Sequence, residues 1–153
     1  MKERQGFVSN SSTSSFCIYG AALSIDLSKP LKYIYKIKRA CPKEFDEYVE
    51  GLAKSNYRKE RYELLKNLDT LTSEQKEQLN EDLEEEFSYD LGDMLQMYSR
   101  YDYDCGYLFV GDCWTSIGDD ETGRQFKERI EKTLKAIFGD DVKVGTQEGE
   151  YAS

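Results

Sequence analysis

The stretch Tyr107-Leu108-Phe109-Val110, Gly111-Asp112, Cys113-Trp114-Thr115-Ser116-Ile117 carries the clearest structural signal in the chain. Two short runs rich in aromatic and β-branched residues flank a Gly-Asp pair. That is the pattern of a tight antiparallel hairpin with glycine at the first turn position. Just beyond it, Asp119-Asp120-Glu121-Thr122 sets capping side chains and negative charge where a helix would start. Phe126, Ile130, Leu134, Ile137 and Phe138 then recur at helical spacing up to Gly139, a natural stop. Asp141-Val142-Lys143-Val144-Gly145-Thr146 reads as a last strand.

Upstream, Thr72 followed three residues later by Gln75 is the signature of a capping box. Leu79, Leu83, Phe87, Leu91, Leu95 and Tyr98 follow as one apolar stripe, with acidic residues between them. The pattern predicts a single amphipathic helix with an acidic outer face, kinked near Gly92. Phe45, Tyr48, Val49 and Leu52 mark an earlier helix that Pro42 opens, and Leu64, Leu65 and Leu68 mark another. Between Leu31 and Lys38 the residues alternate, with Leu31, Tyr33, Tyr35 and Ile37 on one face and mostly lysines on the other. Period two of this kind predicts a half-exposed strand. Phe16 to Leu23 is apolar and reads as a buried strand.

This order of elements predicts an α+β fold, with a mixed or mainly antiparallel sheet and helices packed on one face. The expected layout is a polar N-terminal lead-in over 1–15 and one α+β domain over 16–153. The length suits a single core that needs no disulfide or metal to close. No apolar run is long enough to span a membrane, and the charged opening never enters the apolar stretch of a signal peptide. Cys17, Cys41, Cys105 and Cys113 are too scattered for a metal motif and are expected to fill space as small apolar side chains.

Charge is distributed unevenly. The net charge is −9, and residues 74–121 hold 15 acidic and 2 basic side chains, against 9 and 13 in residues 1–73. A focused negative field of this kind steers basic partners and repels phosphate backbones. It favours a protein partner with a basic surface and disfavours direct nucleic-acid binding. Glu81, Asp82, Glu84, Glu85, Glu86 and Asp90 are the candidate partner-binding residues.

The chain contains no histidine, which removes Ser-His-Asp and Cys-His catalysis and His-ligated metals. Asp102-Tyr103-Asp104-Cys105-Gly106 opens like a calcium loop, but glycine falls at position five, and position twelve is Cys113 instead of glutamate. Asp102, Asp104, Asp112, Asp119 and Asp120 would gather a divalent metal only if their loops converged. The carboxylate of Asp112 beside Cys113 disfavours a thiolate and argues against a nucleophile. No catalytic residue, metal or cofactor is therefore assigned, and a non-enzymatic role is favoured.

Arg4-Gln5-Gly6-Phe7-Val8-Ser9-Asn10-Ser11-Ser12-Thr13-Ser14-Ser15-Phe16 resembles the R-x-G-F-V-S-N-S-S-S-S-S-F opening of small uncharacterised bacteriophage and bacterial proteins. Arg4, Gly6, Phe7, Val8, Ser9, Asn10, Ser11, Ser12 and Phe16 carry the match, and Thr13 replaces one serine. Trp114 to Gly123, with Phe126 and Lys127, is similar to a C-terminal segment of some of these proteins. The resemblance implies a phage- or prophage-type accessory protein in the cytoplasm of a bacterial host. The leading expectation is that it binds a host or viral protein through the acidic surface of residues 74–121, as an inhibitor for example. The alternatives are a virion or assembly component, and a small ligand-binding domain or enzyme using Asp, Tyr or Cys chemistry.

Overall fold

The computed structural model describes residues 13–152, with side chains from Phe16 to Gly149. Strand β1 (Thr13–Leu23) is followed by five helices: α1 (Leu31–Ala40), α2 (Pro42–Ala53), α3 (Lys59–Lys66), α4 (Ser73–Glu84) and α5 (Phe87–Leu95). Strands β2 (Tyr98–Asp102) and β3 (Tyr107–Asp112), helix α6 (Gly123–Phe138) and strand β4 (Gly145–Ala152) complete the chain. The fold is α+β, with a four-stranded sheet in the order β2-β3-β1-β4. Every described pairing in it is antiparallel. Because β1 opens at Thr13, the strand starts inside the stretch expected to be a lead-in.

The sheet turns one face to the helices. Ala21 and Leu23 of β1 sit opposite Val110 and Leu108 of β3, and all four join the core formed by the helices. On the other face Phe16 stacks on Tyr98 and tilts against Phe109. β1 and β3 approach unusually closely where Gly20 faces Gly111. A Cβ on Gly20 would lie 2.0 Å from the Val110 carbonyl oxygen, so only glycine fits there.

Several expected elements are found where they were read. Thr72 and Gln75 form a reciprocal capping box at the start of α4, with bonds of 3.2 and 2.9 Å. Thr122, among the capping residues expected before the last helix, caps α6 and forms with Gln125 a second box that was not read from the sequence, and Gly139 ends that helix with φ 113°. Pro42 occupies the first turn of α2.

Further readings need correction. The last strand, read over Asp141 to Thr146, runs instead over Gly145–Ala152. Leu31 to Lys38 is helix α1, not a strand. Leu31, Ile34 and Ile37 form its buried stripe at a spacing of three, and the Asn80 side chain accepts the Leu31 N–H at 2.9 Å. The alternation was real but had another cause. Tyr33 stacks on Phe87 and tilts against Phe138, and Tyr35 donates to the Leu68 carbonyl, so α1 is flanked by neighbours on more than one side. The hairpin also lies one strand earlier than expected, between β2 and β3. Its turn runs over 103–106 with Gly106 at φ 77°. Gly111-Asp112 sits within β3, and Trp114–Ser116 is a 3₁₀ turn.

The long acidic helix is broken between α4 and α5 at Glu85 and Glu86, while Gly92 lies inside α5. Tyr98, expected to continue the helix stripe, starts β2. Finally, of the four cysteines only Cys41 is buried, and Cys17, Cys105 and Cys113 lie at the surface. No helix of the described residues is long and apolar enough to cross a membrane.

Candidate functional site

Helix α4 has a sharply divided surface. Leu79 and Leu83 are fully buried, which fixes the inner face. Glu74, Glu77, Glu81, Glu84 and Glu85 are all exposed and recur at spacings of three or four. At 3.6 residues per turn they fall within an arc of about 100° on the outer side. No salt bridge among the described residues reaches any of these five. Their arrangement works against the helix. Like charges three or four apart repel, and four such pairs together cost roughly 1–2 kcal/mol. Glu84 and Glu85 also sit at the negative end of the helix dipole, and the last turn holds no basic residue to offset them.

The remaining carboxylates of the run turn inward. The Arg61 side chain is 4% exposed and reaches Asp82 at 2.7 Å, Asp90 at 2.8 Å and Glu86 at 3.4 Å. It also donates to the Asp82 carbonyl, and lies 3.5 Å from the Tyr48 hydroxyl. Arg58 adds bonds of 2.8 Å to Glu86 and 3.6 Å to Asp90. Two arginines from the start of α3 thus tie together α4, α5 and the break between them. Burial opposes the charge on Arg61, but the Asp82 bond, Tyr48 and Asp90 together raise its pKa. Burial also pushes the Asp90 carboxyl up, against the pull of Arg61 and with the help of Glu86.

The six candidate residues therefore divide. Glu81, Glu84 and Glu85 face solvent; Asp82 and Glu86 are half-exposed but bonded; the Asp90 side chain is 5% exposed and lies inside the protein. Arg58 and Arg61 were not singled out from sequence. A pair of arginines three apart on a charged helix resembles any solvated face, and nothing local marks which carboxylates they meet.

A second polar cluster lies where β3 runs into α6. Glu121 and Arg129 form a fork with bonds of 2.8 and 3.0 Å. The Arg129 bond, with the Gly118 N–H, holds the Glu121 carboxyl down to about 2. Asp112 accepts from the Ser116 hydroxyl at 2.9 Å and lies 3.9 Å from Arg129. These groups line an open cleft of about 720 Å³. Trp114 packs on Tyr19 and Phe126 with the Lys127 ammonium over its ring, so this segment anchors the entry to α6.

Asp102 and Asp104 lie at the hairpin turn, where Asp102 accepts the Asp104 N–H. Among the described residues no group of three His, Cys, Asp or Glu side chains is arranged to hold a metal ion. Of the N-terminal signature, Phe16 packs on the sheet, while Arg4, Gly6, Phe7, Val8, Ser9, Asn10, Ser11 and Ser12 lie outside the described residues. No protein-family model, curated protein or solved structure matches the chain.

Proposed function

We propose that the protein acts by binding another protein, and that the outer face of α4 is its docking surface for a basic partner. The observation that carries this reading is the stripe of Glu74, Glu77, Glu81, Glu84 and Glu85, which no salt bridge among the described residues reaches and whose like charges oppose the helix. Such a field speeds encounter with a positive surface and selects against acidic ones. The stripe is also firmly mounted. Leu79 and Leu83 are embedded in the core, and Asp82 is bonded to Arg61 from the side. The protein needs little ordering to present it, which lowers the entropic cost of association. In the context that the N-terminal resemblance implies, the partner is a host or viral protein in a bacterial cytoplasm.

The test is affinity capture from bacterial lysate with the full chain and with a Glu81→Lys/Glu84→Lys/Glu85→Lys variant, at low and high salt. A stoichiometric partner is expected at low salt, lost as salt rises and absent with the variant. A partner held equally well by the variant would take the α4 stripe out of the account.

A further inference from the structure

The cleft between α2 and α5 has a composition that neither helix needs for its own packing. Its volume is about 460 Å³. Leu52, Met97 and the Tyr48 ring give it apolar walls, and Glu47 and Asp93 face it from the two helices. Glu47 accepts a 3.0 Å bond from the Gln96 amide, and no salt bridge among the described residues reaches either carboxylate. Arg58, the one cation on the lining among the described residues, is already bonded to Glu86 and Asp90. Gly51 supplies the remaining observation. It lies within α2, where glycine is the poorest helix former after proline. A Cβ there would meet no atom within 4 Å, so neither crowding nor φ calls for glycine. What its missing side chain leaves open is the cleft.

We infer that this cleft is a slot for one arginine or lysine side chain of the protein partner, which rests on the protein-binding function proposed above. An aliphatic stem would lie along Leu52, Met97 and Tyr48, the arrangement by which long basic side chains bury their carbon chains. The cationic end would meet Glu47 and Asp93. A guanidinium fits best, because its planar fork bonds two carboxylate groups at once. The slot sets the kind of anchor, and the α4 stripe supplies the long-range attraction.

The test uses the full chain labelled with ¹⁵N, titrated with N-acetyl-arginine N-methylamide and, separately, with the neutral citrulline counterpart at millimolar concentration. Saturable amide shifts at Gly51, Gly92 and Met97 are expected with the arginine probe and not with citrulline. Gly51→Gln, which fills the slot, and Asp93→Asn, which removes half its charge, should each weaken binding about tenfold, equivalent to about 1.4 kcal/mol. Gly51→Gln should melt no lower than the parent protein. The slot is overturned by no response, by an equal response to citrulline, by shifts confined to α4, or by unchanged binding in Gly51→Gln. The Glu81→Lys/Glu84→Lys/Glu85→Lys variant separates the two proposals, since it should still bind the probe in the cleft whatever becomes of partner capture.

Discussion

Two groups of carboxylates from one acidic run of sequence end in opposite situations. Glu74, Glu77, Glu81, Glu84 and Glu85 stand in solvent with no salt bridge among the described residues reaching them, while Asp82, Glu86 and Asp90 close around Arg58 and Arg61. The residue types are the same, and Asp82 lies next to Glu81 in the chain. What separates them is the helical period, which sends neighbours to different sides, together with two arginines some twenty to thirty residues upstream. Acidity in this segment is therefore two properties. One part holds the helices together; the other opposes its own helix and faces solvent.

The sharpest way to break the comparison is to remove the arginine. Arg61→Met leaves Asp90 buried with its main counter-charge gone, and the cost of such a change is about 3–5 kcal/mol. Urea unfolding should show the transition midpoint moving down accordingly. A loss below about 1 kcal/mol, the scale of an exposed ion pair, would mean that the inward group is no different from the outward one.

The outward group should respond in the other direction. Replacing Glu84 and Glu85 by glutamine relieves repulsion along α4 and at its C-terminal end, for an expected gain of about 0.5 kcal/mol. The same unfolding assay reads this change, which should shrink as salt is added. Stabilisation combined with weaker partner capture would mark these glutamates as retained against stability.

Acid titration sharpens the contrast further. The Glu121 carboxyl, ordinarily near 4.5, is held down to about 2 by Arg129. The depressed value means that its contribution is present above pH 4.5 and lost as pH falls towards 2. Asp90 has the opposite sign, because its pKa is raised in the fold: its contribution is full at acid pH, below its ordinary 3.8, and is lost as pH rises through the folded value. Arg129→Gln should therefore flatten the acid limb of stability between pH 4.5 and 2. The effect should be the smallest of these, since the Arg129 partner is exposed and the pair is screened by solvent. An unchanged limb would show that the fork contributes nothing in solution.

Parts of the molecule were legible residue by residue. Thr72 with Gln75 acts within four residues of chain, so its pattern alone states the outcome; Thr122 was read as a cap, and its partner Gln125 was not. Phe126, Ile130, Leu134 and Ile137 form one face of α6 because helical geometry brings them together whatever lies opposite. The region from Leu31 to Lys38 was misread because its tyrosines pack on Phe87, Phe138 and the Leu68 carbonyl, contacts that no local window contains. The hairpin was placed one strand too late for a related reason. Tyr98, the first residue of β2, keeps the spacing of the helix stripe, and only its pairing with β3 places it in a strand.

By itself the sequence determined the α+β class, the capping box of Thr72 and Gln75, the core face of α6 and the concentration of acid between residues 74 and 121. Each depends on neighbours along the chain or on composition, and both are complete in the sequence. Only the tertiary structure decided which carboxylates are bonded, where β1 and β3 touch through Gly20 and Gly111, and that a cleft opens beside Gly51. Those features rest on groups that approach through space from distant parts of the chain. A buried ion pair or an open cleft is a property of the packing of whole helices, and it has no local signature for the sequence to carry.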